Sequence, residues 1–177
     1  MASLRPILPV KLFVGILHVP AVGLDAVREI LEAEFGPADL LAGPWPHAFT
    51  EYYKDEMGPA LLRSFVAFEP LIDPARLASI KLLTNALEGR FGPPGARPVN
   101  LDPGYVTAAK VVLATVKDYS HRMYIGDGIY AEVTLHYEAG RWNDWPWTYP
   151  DYRTEPYKRF FTDVREKMKA DRRRLRH

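Results

Sequence analysis

Apolar positions recur along this chain with two periods, and their succession predicts strands and helices in a repeated order. Residues 11–19 (KLFVGILHV) form an apolar run of strand length. Beyond Pro20 and Gly23, Leu24, Val27, Ile30, Leu31 and Phe35 recur at helical spacing, with Arg28, Glu29, Glu32 and Glu34 mostly off that stripe. Gly36-Pro37 stops the helix, since glycine accepts the left-handed conformation of a helix end and proline cannot continue one. The pattern then returns. Residues 63–69 (RSFVAFE) read as a strand, and Asp73-Pro74 opens a second helix with a capping carboxylate and a proline suited to the first turn. Ile72 and Leu77 are placed to staple that turn, and Leu77, Ile80, Leu83, Leu87 and Phe91 follow at helical spacing up to Gly92-Pro93.

Each strand–helix unit is followed by a further candidate strand, around residues 47–53 and 99–105. That order predicts an α+β fold, a ferredoxin-like βαββαβ sandwich with both helices on one face of an antiparallel sheet. The competing arrangement is another α+β sheet in which 47–53 is a loop, because Gly43-Pro44-Trp45-Pro46 and Met57-Gly58-Pro59 bracket it with breakers. Farther on, residues 111–114 and 129–137 carry strand signals. Ile129, Ala131, Val133, Leu135 and Tyr137 alternate with Tyr130, Glu132, Thr134 and His136, which sends the two sets to opposite faces. Asp127-Gly128 supplies the positive φ a tight hairpin turn demands, pairing 122–125 with 129–132. The prolines and tryptophans of 138–153 predict an aromatic loop. Thr154 is placed to cap a last helix with the stripe Tyr157, Phe160, Phe161, Val164 and Met168. The expected organisation is one domain: core 10–105, sheet extension with a C-terminal β-hairpin 106–137, aromatic loop 138–153, final helix 154–170 and a basic, frayed tail 171–177.

A formal net charge of +1, from 23 basic and 22 acidic residues, gives no global field toward nucleic acid or anionic lipid. Nucleic-acid contact would need a local patch, and the arginines of the tail are already favourable at a helix C-terminus. With no cysteine, disulfides and thiolate chemistry are excluded, and a reducing compartment is compatible. No stretch reaches membrane-span length, so a soluble, cytoplasmic protein is expected. The histidines at 18, 47, 121, 136 and 177 show no metal-ligand spacing, and the cofactor is left unknown.

The segments 100–105, 114–122, 128–135 and 146–152, together with 10–15 and 52–58, resemble those of a prokaryotic family of uncharacterised proteins, domain-of-unknown-function family four-four-one-six. The resemblance spans roughly residues 10–168 and implies no activity. Members carry a GTP-binding label, but the chain has neither the G-x-x-x-x-G-K-[S/T] phosphate loop nor a G-x-G-x-x-G fingerprint.

The candidate chemistry centres on residues 117–122, where charge is concentrated between two strands. In the functional reading, Lys117 and Arg122 bind an anionic group, His121 exchanges a proton, and Glu132 or Asp151 orients it, so that His121, Glu132 and Asp151 are the catalytic candidates. Asp118, Tyr130, Tyr149, Tyr152, Asp102 and Tyr105 join Lys117 and Arg122 as candidate ligand contacts. The structural reading makes Asp118 and Ser120 turn residues, pairs Lys117 with Glu132 across strands, takes Asp102-Pro103-Gly104 as a tight turn, and uses Trp142, Trp145 and Trp147 to cover the sheet's second face. The expected function is therefore a small anionic-ligand-binding or enzymatic pocket, the residues leaving open which. The alternative is a non-enzymatic binding module for RNA or a protein partner, with the oligomeric state open.

Overall fold

The computed structural model describes residues 3, 6–49, 54–93 and 95–175, and of residues 54 and 55 the backbone only. Its elements are β1 (Val10–His18), α1 (Leu24–Phe35), β2 (Ala38–His47), a short α2 (Lys54–Met57), β3 (Leu61–Ile72), α3 (Leu77–Glu88), β4 (Val99–Val106), β5 (Lys110–Thr115), β6 (Met123–Gly126), β7 (Ile129–Glu138), β8 (Arg141–Asp144) and α4 (Glu155–Arg174). They form an α+β fold on one eight-stranded sheet, ordered β2-β3-β1-β4-β5-β7-β6, with β8 also on β7. Neighbouring strands pair antiparallel, β1 lying between β3 and β4.

Period-two alternation divides the sheet into two packed faces. Val10, Leu12, Val14 and Ile16 of β1 join Val66 and Phe68 of β3 against Val27 and Leu31 of α1 and Ile80 and Leu87 of α3. On the other face Phe13 and Phe65 meet Tyr157, Phe160, Phe161 and Val164 of α4. Phe13 packs edge-on to Phe161 at 5.0 Å, and Phe65 stacks on Phe160 at 5.1 Å. The apolar stripe of the last helix therefore closes the second face. Near its C-terminal end α4 is fixed by Lys11, fully buried on β1, whose Nζ lies 2.5 Å from Asp39 and 2.9 Å from Asp171.

Several expectations change for physical reasons. β2 occupies Ala38–His47 and contains the presumed breakers; residues 50–53, which the expected strand included, lie outside the described residues. Proline is tolerated there because β2 is an edge strand, whose outer side bonds no neighbour, and a register shift between Ala42 and Trp45 absorbs Gly43-Pro44. Asp102-Pro103-Gly104 is not a tight turn but part of β4. Asp73 does cap, accepting from the Ala75 N–H at 2.8 Å, yet it opens a 3₁₀ turn (Pro74–Arg76) ahead of α3. The first residues of the aromatic loop pair with β7 as β8. Thr154 stands at the start of α4 without capping it; its hydroxyl donates back to the Asp151 carbonyl at 2.7 Å. The helix runs on through Arg172, Arg173 and Arg174, where a frayed tail is expected, and Arg172 Nε donates to the Pro9 carbonyl. Arg176 and His177 lie outside the described residues.

The hairpin forms as expected, with Asp127 and Gly128 at φ 54° and 75° and Tyr124 opposite Tyr130. The alternation of β7 does not hold throughout. A bulge sets Val111 opposite Leu135 but Val112 opposite Val133, so Thr134 is an extra residue that reverses the phase. Ile129, Ala131 and Val133 consequently face α3, whereas Leu135 and Tyr137 join the α4 face.

One interruption in the sheet positions the site. β4 pairs with β5 only through Gly104, Tyr105 and Val106. Before that point Pro103 has no N–H to offer, and the Leu101 edge groups are taken by α3: Leu101 N–H donates to Glu88 Oε1 at 2.7 Å, and Lys81 Nζ donates to the Leu101 carbonyl at 2.8 Å. β4 and β5 therefore diverge like a fork. At its apex the strands approach so closely that a Cβ on Gly104 would lie 2.3 Å from the Val112 carbonyl oxygen and 2.6 Å from the Phe13 ring. Gly104→Ala is expected to reduce stability by about 2–3 kcal/mol, as overpacking against backbone does. Urea unfolding measures it, and an unchanged midpoint would refute this account of the apex.

Candidate functional site

The fork opens into a cavity of about 860 Å³ that reaches both faces of the sheet. Its floor joins side chains from five places in the chain. Asp102 of β4 accepts from Arg63 Nη1 at 3.1 Å and from Asn100 Nδ2 at 2.9 Å, and lies 3.7 Å from Lys81 Nζ. Arg63 reaches it from β3 across β1 at Gly15, where a Cβ would stand 3.3 Å from Arg63 Nη1. The far side of Arg63 faces Asp151 at 3.9 Å, and Asp151 in turn lies 3.6 Å from Nδ1 of His47 at the end of β2. Lys81, Asp102, Arg63, Asp151 and His47 thus make a file of alternating charge that ends on an imidazole.

Burial and neighbours set the protonation of this file. Burial alone would raise the Asp102 carboxyl, but Lys81 and then Arg63 hold it below the usual carboxylate range. Burial would lower the Arg63 guanidinium, and Asp102, with Tyr152 and Asp151, outweighs that and keeps it protonated. Asp151 is pushed up by burial against the opposing pull of Arg63. His47 is lowered to about 4, first by burial and then by Arg63, so its ring is neutral at pH 7. Both His47 ring nitrogens, Arg63 Nε and the Tyr152 hydroxyl are buried with no hydrogen-bond partner among the described residues.

The residues singled out from the sequence form another wall of the same cavity. Glu132 is 2 % exposed; its Oε2 accepts from Arg122 Nε at 2.8 Å and lies 3.3 Å from His121 Nε2, while Oε1 accepts from Thr134. Arg122 also donates to the Lys117 carbonyl and to the Tyr149 hydroxyl at 2.7 Å, so Nε, Nη1 and Nη2 are each engaged within the wall. His121 stacks between Tyr119 and Trp147 at interplanar angles of 15°. Trp147 is pinned by its indole N–H to the Val133 carbonyl, and Thr148 by its hydroxyl to the Thr134 carbonyl. Burial, then Glu132, pushes the Tyr149 phenol up to about 12, which keeps it neutral as the acceptor of the Arg122 bond.

His121, Arg122, Glu132, Asp151, Lys117, Asp102, Tyr149 and Tyr152 all line the cavity. Three candidates do not. Asp118 is exposed on the loop, Tyr130 packs edge-on to Tyr124 at 5.5 Å, and Tyr105 packs beside the α3-side core. Glu132 takes Arg122 and His121 as partners, not the Lys117 pairing of the structural reading. Sequence reasoning missed His47, Arg63, Lys81 and Glu88 as parts of this site. A signal existed for two of them: Lys81, Thr84 and Glu88 recur at helical spacing beside the apolar stripe of α3, and all three are buried. Arg63 and His47 carried none, being terminal residues of apolar runs.

Among the described residues no group of three or more His, Asp or Glu side chains is placed to hold a metal ion, and no helix is long and apolar enough to cross a membrane. The fork cavity is concave, largely apolar and floored by a few convergent polar groups. The chain belongs to a family of unknown function: the model of the domain of unknown function DUF4416 matches residues 8–168. No curated protein and no solved structure matches it.

The His47 shift fixes a pH dependence of stability. Its folded-state value, about 4, lies below the ordinary 6.5, so the unfolded chain binds the proton first and stability falls as pH drops from about 6.5 to about 4. Asp102 acts in the same direction only below the usual carboxylate range, whereas Asp151 and Glu88, raised by burial, act in the opposite direction, so the His47 share is the difference between the wild type and His47→Gln. Thermal unfolding between pH 7 and pH 4 should show His47→Gln losing less stability than the wild type; equal slopes would overturn the assignment.

Proposed function

We propose that the chain is a pocket protein that binds a small molecule bearing an anionic group, seated in the fork between β4 and β5. The observation that carries this reading is the charge of the floor. Two buried cations, Arg63 and Lys81, converge on the floor around one firmly ionised carboxylate, Asp102, and burial raises the neighbouring Asp151. An incoming anion would give those cations a further partner, and burial makes each such contact stronger than it would be in water. The 117–122 segment serves as the wall that shapes the pocket: the His121–Glu132–Arg122–Tyr149 network holds the aromatic loop over it. Within this reading His121 remains the wall's proton-exchanging candidate, since Glu132 at 3.3 Å favours the tautomer carrying hydrogen on Nε2.

The finer readings of fold and location go with it. The order β1-α1-β2-α2-β3-α3-β4, in which α2 is a single short turn, with β2-β3-β1-β4 as neighbours, supports a ferredoxin-like core extended beyond β4, and the absence of cysteine is compatible with a cytoplasmic setting. A non-enzymatic module for RNA has less support, because helices cover both faces of the sheet core. For a protein partner, the exposed Met123 and Tyr124 on the β6 edge are the supporting feature.

A thermal-shift screen of phosphorylated and carboxylated metabolites tests the reading. Such an anion should stabilise the wild type, and Arg63→Gln should weaken the ligand found by about ten-fold or more, the equivalent of one lost charge-assisted contact. No stabilising anion, or equal affinity in Arg63→Gln, would overturn it.

A further inference from the structure

We propose that the end of the floor formed by His47, Arg63 and Asp151 is an oxyanion subsite that takes up its anion together with a proton, the proton being received by His47. The inference rests on the anionic-ligand reading above and adds the place, the coupling and its residue.

Geometry is the first support. His47 lines the cavity, is 6 % exposed, and has neither ring nitrogen bonded among the described residues. Arg63, 5 % exposed, lines the same floor and leaves Nε unbonded, while the hydroxyl of Tyr152, which also lines the cavity and acts electrostatically on Arg63, is likewise buried and unbonded. Unsatisfied buried donors of this kind are costly, and an oxyanion accepting from Arg63, Tyr152 and an imidazolium would satisfy all three. Asp151, 3.6 Å from Nδ1, is placed to hold the ring once it is charged.

Electrostatics supplies the coupling. The charged groups that act on His47 among the described residues are Arg63, which opposes its protonation, and Asp102, which favours it, and the Asp151 carboxylate faces Nδ1 at 3.6 Å. Burial and Arg63 prevail over Asp102, and the ring is neutral at pH 7. An anion beside Arg63 reverses the sign of that local field, so the imidazolium becomes the favoured form and closes an anion–His47–Asp151 bridge. By linkage, an anion that raises the affinity for a proton is itself bound more tightly as pH falls.

Inorganic sulfate is the probe, because it stays a dianion throughout the range; formate, ionised from pH 5 upward, provides the planar carboxylate arm. Calorimetric titration of the full chain in buffers of different ionisation enthalpy counts the protons taken up. The expected result is uptake approaching one proton per anion and a sulfate affinity that rises several-fold per pH unit from pH 7 to pH 5. His47→Gln should still bind sulfate, with no uptake and a flat pH profile; Asp151→Asn should bind with reduced uptake. Preference for sulfate over formate would indicate a phosphate-like group, and the reverse a carboxylate. Binding without proton uptake, or uptake that persists in His47→Gln, overturns this proposal alone. Failure of both anions to bind at any pH overturns it together with the anionic-ligand reading.

Discussion

A half-strand of missing partners governs this molecule. Where β4 runs without β5, the N–H and C=O of Leu101 face the protein interior with no ladder to join, and buried backbone groups left unpaired are expensive. α3 provides the substitutes: Glu88 accepts from the amide and Lys81 donates to the carbonyl. Each substitute brings charge into the interior and so requires a partner of its own. Lys81 is balanced by Asp102, Asp102 by Arg63, and Glu88 by Arg97, which also bonds Glu56 at 2.8 Å. The polar floor is thus the electrostatic consequence of an interrupted ladder, and the cavity is its geometric consequence.

The rest of the structure keeps that fork from closing. Phe13, Phe65 and the aromatic residues of α4 fill the second face up to the apex, with Gly104 leaving room for Phe13 and Gly15 leaving room for Arg63. The bulge at Thr134 returns Leu135 to this core after Glu132 has been aimed at the cavity, allowing one strand to serve both. On the opposite flank, the stack of Tyr119, His121, Trp147 and Trp145 and the hydrogen bonds of Trp147 and Thr148 to β7 hold the loop in place. Two rigid walls of different composition face each other across the opening, one aromatic and one ionic.

The proposed function rests on that contrast. In the 117–122 wall, Glu132 already neutralises Arg122, and the hydrogen bonds of Arg122 are made within the wall. The floor is different, because atoms of Arg63, His47 and Tyr152 are buried without partners among the described residues. A satisfied buried network rigidifies; an unsatisfied one is a reservoir of binding energy. The floor therefore has more to gain from a ligand than the segment that draws attention in the sequence.

By itself the sequence determined the local elements. The helical stripes of α1, α3 and α4, the strand runs of β1 and β3, the Asp127-Gly128 hairpin and the family blocks are all local patterns, and local sterics and burial suffice to read them. It also located one wall of the cavity, because charge packed between apolar strands is visible at short range. Tertiary structure decided what depends on distant partners. It placed Pro44 on a free edge, reversed the phase of β7 opposite Val111, made Trp142 part of a strand, and brought His47, Arg63, Lys81, Asp102 and Asp151 to one floor. No period in the sequence carries that convergence, since it arises where β4 lacks its neighbour, and the absence of a pairing leaves no mark on the residues that would have made it.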